Sequence, residues 1–202
     1  RDNLGPPFPT PGIRGRGVAA FSIAAGGPTG YAAASRPFGA SPPMNTGIVL
    51  SPRYRDHHTG NGHPERADRV AAIESRLQAE GLLETLLRIE PRPAADEDLL
   101  RCHTADYLAT VRRDAAAGAE TLSTGDTPLS PRSLDTALLA AGGLLAAVDD
   151  VMSGRVDNAF AVVRPPGHHA TPTRGMGFCV FNNVAVAARY AQAKHGVQRV
   201  LI

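Results

Sequence analysis

Lysine is almost absent. Lys194 is the single one, and every other cation is arginine, with no basic cluster that resembles a nuclear address. Charge of either sign is also in short supply. The formal net charge is +2; setting aside residues 1–43, which hold Arg1, Arg14, Arg16, Arg36 and Asp2, leaves 17 basic and 18 acidic side chains. That balance lacks the electrostatic footprint of a nucleic-acid-binding surface. Cysteine is scarce too: Cys102 and Cys179 stand 77 residues apart, with no CxxC and no secretory apolar segment. Nothing points to an oxidising compartment, so no disulfide is expected. No apolar run approaches the roughly 18 residues of a membrane span, and no internal repeat is present. With 43% hydrophobic and 20% charged residues, the composition is that of a globular protein. The expectation is a cytoplasmic chain without membrane or direct nucleic-acid partners. At 202 residues it forms one ordinary domain or part of a larger one.

The chain divides at residue 43. Residues 1–43 hold eight glycines, eight prolines and one acidic residue, with no sustained period of 2 or 3.6. Such a stretch buries too little apolar surface to offset its chain entropy. It is expected to be a disordered extension, with Met44 a candidate natural start. From Met44 short apolar runs alternate with helical stretches. Residues 47–50, 86–90, 159–163 and 197–202 read as strands. Pro64 is expected to open a helix on which Val70, Ile73 and Leu77 share a face, ended by Gly81. Thr104 reads as the N-cap of a helix ended by Gly118, and Ser130-Pro131 as the start of a long, almost wholly apolar helix stopping at Gly154. A last helix spans Asn183 to His195, capped by Gly196. Strands alternating with helices predict a parallel sheet covered by helices on both faces.

In open parallel sheets, ligands bind at the carboxyl ends of strands. The most unusual residues lie at such a place. After the strand at 159–163 come Arg164-Pro165-Pro166-Gly167-His168-His169-Ala170 and then Gly177-Phe178-Cys179-Val180-Phe181-Asn182-Asn183. The prolines stiffen a turn that presents two adjacent imidazoles, and histidine suits proton transfer near neutral pH. Adjacent histidines alone fit a surface pair, a metal site or acid–base chemistry. A second concentration, Asp56-His57-His58-Thr59-Gly60-Asn61-Gly62-His63, fits neither a helical metal-binding pair nor a zinc finger. It reads as a rim loop ahead of a metal site or an inert surface loop.

The sequence R-P-P-G-H-H-A, followed eight residues after the second histidine by G-F-C-V-F-N-N, resembles the histone deacetylase superfamily, including its bacterial amidohydrolase-like members. Four weaker matches share the family's order. They are Gly62-His63-Pro64-Glu65-Arg66 with Arg69, Cys102-His103-Thr104 with Tyr107-Leu108, Gly125-Asp126-Thr127, and Ala140-Ala141-Gly142-Gly143. The resemblance covers most of residues 44–202. It implies the N-terminal half of an arginase- and deacetylase-like three-layer α/β fold built on a parallel sheet. It further implies hydrolysis of an acetylated amine, in which a zinc ion polarises the carbonyl and activates the attacking water. His168 and His169 would bind that water, accept its proton and later protonate the leaving amine. Phe178, with Gly177 beside it, would wall the substrate channel. Asp126 would hold the substrate at the rim, and Arg69 would lie near the cavity that receives acetate. Cys179, beside the channel, reads as a small buried hydrophobe. Acetyl-lysine in protein, acetylated polyamines and other small acetylated amides all fit such a channel.

In the family the strand corresponding to 197–202 leads into D-x-D-x-H-H-G-N-G. That segment supplies an aspartate and a histidine to zinc; later loops add a second aspartate and a tyrosine for the oxyanion. The sequence stops before them. The resemblance therefore implies no metal ligand within these residues, an inactive chain when alone, and a strand at 197–202 without its proper sheet neighbour. Two alternatives are an arginase-like ureohydrolase and a non-catalytic binding module that keeps the channel and not the zinc. The residues that follow 202 discriminate among the three.

Overall fold

The computed structural model describes residues 22–24, as backbone, and 44–202. The extension expected to be disordered thus lies, apart from 22–24, outside the described residues. Three strands build the parallel part of the sheet: β2 (Thr46–Leu50), β3 (Leu87–Ile89) and β4 (Asn158–Val162). Strand β2 sits between its two partners, Gly47 opposite Leu87 on one side and Ala159 on the other. Every residue of β2 from Gly47 to Leu50 is buried, as a strand covered on both faces requires.

A fourth strand comes from within the extension. Residues Ser22–Ala24 form β1, which pairs antiparallel with the outer edge of β4, Ser22 opposite Phe160 and Ala24 opposite Asn158. The sheet order is β1-β4-β2-β3. Composition gives no warning of so short a strand, because an exposed edge supplies most of what it needs, a row of unpaired backbone groups.

The helices are α1 (Asp68–Ala79), the single turn α2 (Asp96–Leu99), α3 (Ala105–Ala116), α4 (Ser133–Met152) and α5 (Asn183–His195). A short 3₁₀ turn at Pro52–Arg55 follows β2. Helix α4 lies against β2, β3 and β4 and carries α5 along it. Its central Gly142-Gly143 pair is a packing device. A Cβ on Gly142 would meet the Arg92 carbonyl oxygen at 1.8 Å, and one on Gly143 would meet the Tyr54 hydroxyl at 2.6 Å and Val49 at 2.9 Å. Glycine in a helix interior is unfavourable by about 1 kcal/mol against alanine, and here it admits the chain on two sides. No helix among the described residues is long and apolar enough to cross a membrane.

Two helix starts lie later than the sequence suggests. Helix α1 begins at Asp68, four residues past Pro64, because Glu65 is engaged elsewhere: its N–H donates to His63 Nδ1 at 3.0 Å and its carbonyl accepts from Thr59 Oγ1 at 2.6 Å. Helix α4 begins at Ser133, since Ser130 bonds sideways to the Ser133 hydroxyl (2.9 Å) and to the His58 N–H (3.1 Å) instead of capping. Thr104 does cap α3, its hydroxyl accepting from Tyr107 N–H, and Gly196 closes α5 in the left-handed conformation.

The expected strand at 197–202 does not form. The segment pairs with none of the four strands, and Leu201 and Ile202 are 96% and 79% exposed. Apolar, β-branched residues favour a strand only where a neighbouring edge takes their backbone groups. This segment meets none, and its described backbone bonds run only to α5, from Val197 N–H to the Ala191 carbonyl and from the Gln192 amide to the Gln198 carbonyl.

Candidate active site

Beyond the end of β4 the chain turns sharply, through a cis Arg164–Pro165 peptide, and Arg164 folds back beneath the loop. It is 3% exposed. Its Nε and Nη2 donate to the two carboxylate oxygens of Glu65 at 2.7 and 2.8 Å, and its Nη1 donates to the Tyr54 carbonyl at 3.1 Å. A bidentate guanidinium–carboxylate pair is among the strongest hydrogen-bonded contacts, and burial demands that neither partner be left alone. This pair bolts the Pro64-Glu65 turn to the Pro165-Pro166 turn. Arg69 approaches the same carboxylate, its Nη1 at 3.9 Å from Glu65 Oε1, with a side chain one quarter exposed. It belongs to the floor of the site and not to the open surface.

His57 completes this floor. It is fully buried, with Nδ1 at 2.7 Å from the Ser133 hydroxyl and Nε2 at 4.0 Å from Glu65 Oε2. Burial above all, then the charge of Arg164 and the neighbouring His58 and His63, pushes its pKa down to about 3. The three histidines of the loop thus part company: His57 is buried, His58 is exposed, and His63 packs edge-on against the Phe178 ring at 4.5 Å between centroids.

Above the floor lie His168 and His169, both exposed, with ring centroids 4.0 Å apart. The His168 N–H points at the buried Cys179 sulfur at 3.4 Å. Partial burial, then the adjacent His169, lowers the pKa of the His168 imidazole and favours its neutral, proton-accepting form. The facing turn is held by backbone in an unusual state. Gly177 and Phe178 have φ of 57° and 66°, and for phenylalanine the left-handed region is unfavourable by about 1–3 kcal/mol. At Gly177 no side chain fits: a Cβ would stand 2.6 Å from the His169 ring. The Gly177 N–H in turn donates to Asp126 Oδ1 at 2.9 Å. Asp126, exposed at the rim, therefore ties its loop to the turn that carries Phe178.

The structure brings His168, His169, Gly177, Phe178 and Asp126 to one end of β4, and sets Arg69 beneath them on the Glu65 carboxylate. Reading the sequence placed His57 and His63 on a rim loop and His63, Glu65, Arg164 and His103 within the matching motifs, but gave none of them a role of its own. The pairing of Glu65 with Arg164 had a partial signal: Arg164 is a lone charge between an apolar strand and two prolines, and such a charge, once buried, needs a partner. The other three had none, because whether a histidine is buried or stacked depends on contacts distant in sequence. Among the described residues no group of three or more His, Cys, Asp or Glu side chains could hold a metal ion.

Comparison with known proteins adds relatives to this geometry. The histone deacetylase domain model matches residues 63–202. A histone deacetylase-like amidohydrolase of Pseudomonas aeruginosa is 44% identical over 141 residues, covering 70% of this chain and 37% of that protein. Human polyamine deacetylase HDAC10 is 41% identical over 143 residues, 68% of this chain and 21% of that protein. The crystal structure of the HDA15 HD domain superposes with a TM-score of 0.70 at 36% identity, covering 75% of this chain and 44% of that one. The chain spans less than half the length of each.

Proposed function

The chain belongs to the histone deacetylase family, and from that premise we propose that it forms the tandem-histidine half of an active site that hydrolyses the amide bond of an acetylated amine. The observation that carries this reading is the His168–His169 pair, open to solvent at the end of β4, with the His169 ring against Gly177 and Phe178 next along the turn. The water oxygen bonds to the acetyl carbon while its proton passes to an imidazole of the pair. That proton then moves to the amine nitrogen as the carbon–nitrogen bond breaks, leaving acetic acid and a free amine, which exchange a proton to become acetate and ammonium. A neutral His168 is the form that accepts, and general base catalysis of this kind contributes roughly 10²–10⁴-fold. Phe178, with His63 packed edge-on against it, walls the path of the substrate's aliphatic stem, Asp126 orders the rim, and Arg69 marks the side from which acetate leaves.

Zinc supplies carbonyl polarisation in such a reaction. The described residues do not fit it by themselves, because their potential donors assemble no ligand set. The proton transfers and the positioning of substrate belong to the chain's own side chains. On this reading the chain alone does not turn over. Its substrate is an acetylated peptide or small molecule, its setting is the cytoplasm, and neither nucleic acid nor membrane is a direct partner.

The test is acetate release by the full-length protein from an acetyl-lysine peptide and from an N-acetylated polyamine, beside residues 1–202 alone. Release by the former and none by the latter is expected. Robust turnover by residues 1–202 would overturn the division of the site, and no release by either would overturn the activity.

A further inference from the structure

Resting on that reading, we infer that His103 is a positioning residue for the tandem histidines, acting as a buried hydrogen-bond acceptor that locks together the two loops carrying His168–His169 and Phe178. His103 lies in the Cys102-His103-Thr104 motif, which the proposed reaction leaves without a role. It is 3% exposed. Its Nε2 accepts the backbone N–H of Asn182 at 3.0 Å. Asn182 is the junction of the site: its side-chain amide donates to the carbonyl of Ala170 at 2.9 Å, and its side-chain oxygen accepts from Ala185 N–H at 3.0 Å, capping α5. Ala170 directly follows His169, and Asn182 closes the segment that begins at Phe178. One imidazole therefore fixes the residue through which both loops are tied.

Neighbouring contacts from the same motif reinforce the tie. Thr104 N–H donates to the Pro172 carbonyl at 3.0 Å, and the Tyr107 hydroxyl donates to the Val180 carbonyl at 2.6 Å. The His103 ring stands edge-on to Phe181 at 5.6 Å, which holds its plane. An acceptor at Nε2 requires the neutral tautomer with its proton on Nδ1. Burial, only partly offset by the backbone of Thr171 and Pro172, lowers the pKa of this imidazole and keeps it neutral. Nδ1 itself is buried and makes no well-formed hydrogen bond, though the backbone of Thr171 and Pro172 lies close enough to favour its proton. An apolar side chain would leave the Asn182 N–H without the acceptor that Nε2 supplies, so packing alone does not account for a histidine here.

Three variants of the full-length protein test the inference. His103→Met keeps the volume and deletes the acceptor; His103→Gln presents an amide oxygen near the position of Nε2; Asn182→Ala cuts the strut to Ala170 and leaves the His103 bond. His103→Met is expected to lower kcat for acetyl-lysine peptide about 10–100-fold, as loss of an orienting partner does, with KM nearly unchanged. His103→Gln is expected to recover most of that rate, and Asn182→Ala to lose kcat in the same manner. Hydrogen exchange at the Asn182 amide should quicken in His103→Met and stay slow in His103→Gln. A folded His103→Met protein with wild-type kcat, or with unchanged exchange at Asn182, would overturn the proposal. If His103→Met does not fold, wild-type kcat in Asn182→Ala overturns it instead. Wild-type protein that releases no acetate defeats the deacetylase reading, whereas the exchange at Asn182 judges the His103 tie separately.

Discussion

The floor and the mouth of the candidate site both combine histidine with a carboxylate and do opposite work. In the floor, Arg164 and Glu65 are buried and paired with each other, and His57 is buried beside them on the Ser133 hydroxyl. At the mouth, His168, His169 and Asp126 face solvent, and only one edge of each is held. Two histidine-rich stretches therefore differ in meaning. The loop with His57, His58 and His63 disperses its rings to three environments, while the adjacent His168 and His169 stay together. What separates them is backbone: a stiff Pro165-Pro166-Gly167 turn presents neighbours side by side, and an open loop of Gly60, Asn61 and Gly62 lets each ring find its own contacts.

If floor and mouth are distinct, their variants must separate stability from rate. The largest expected effect is at the mouth. His169→Ala in the full-length protein should lower kcat roughly 10²–10⁴-fold, while a urea melt moves by no more than about 0.5 kcal/mol, the usual range for an exposed side chain. A rate within threefold of wild type would remove His169 from the chemistry.

The floor should respond the other way. Glu65→Ala leaves the Arg164 guanidinium buried without its carboxylate, and breaking one partner of such a pair destabilises by about 3–5 kcal/mol. Denaturant unfolding measures this directly. A loss under about 1 kcal/mol would mean that the floor relaxes or admits water, and that the contrast with the mouth is smaller than the burial suggests.

Acid should also find the floor first. His57 is held neutral, with a folded pKa of about 3 against about 6.5 for a free histidine. Below pH 6.5 the unfolded chain takes up a proton that the folded one refuses. Stability is then lost as pH falls from about 6.5 towards 3, at up to about 1.4 kcal/mol per pH unit from this group. His57→Gln should flatten that limb, by about 2 kcal/mol at pH 5. Parallel stability profiles of variant and wild type from pH 7 to 4 would show that His57 is not the buried neutral group described.

Much of this architecture was legible in the sequence. The parallel alternation, the caps at Thr104 and Gly196, and the pairing of R-P-P-G-H-H-A with G-F-C-V-F-N-N rest on local pattern, and local pattern survives folding. What escaped was set by partners far along the chain. Strand β1 depends on the edge of β4, 134 residues from its nearest register partner (Ala24 opposite Asn158). The burial of the Glu65 carboxylate depends on Arg164, 99 residues away. The apolar segment 197–202 has strand-like composition, and composition alone does not supply the neighbouring edge that a strand requires.

The smallest effect is expected where a similar ion pair lies in water. On α1, Arg76 Nη2 stands 2.7 Å from Glu80 Oε1, with side chains 77% and 48% exposed. The distance matches that of Arg164 Nε to Glu65 Oε1, so geometry alone predicts equal importance. Solvation decides otherwise. Exposed pairs of this spacing contribute about 0.3–0.5 kcal/mol. This one also has its charges in the weaker order, arginine N-terminal to glutamate, with the carboxylate at the negative end of the helix. Arg76→Ala should therefore shift the unfolding free energy by less than about 0.5 kcal/mol, roughly a tenth of the Glu65→Ala effect. Raising the salt concentration should shrink even that, since exposed charges are screened over about 10 Å at 0.1 M. A loss above 1 kcal/mol from Arg76→Ala would show that distance outweighs burial in this protein, and would undo the distinction between floor and mouth on which the other predictions stand.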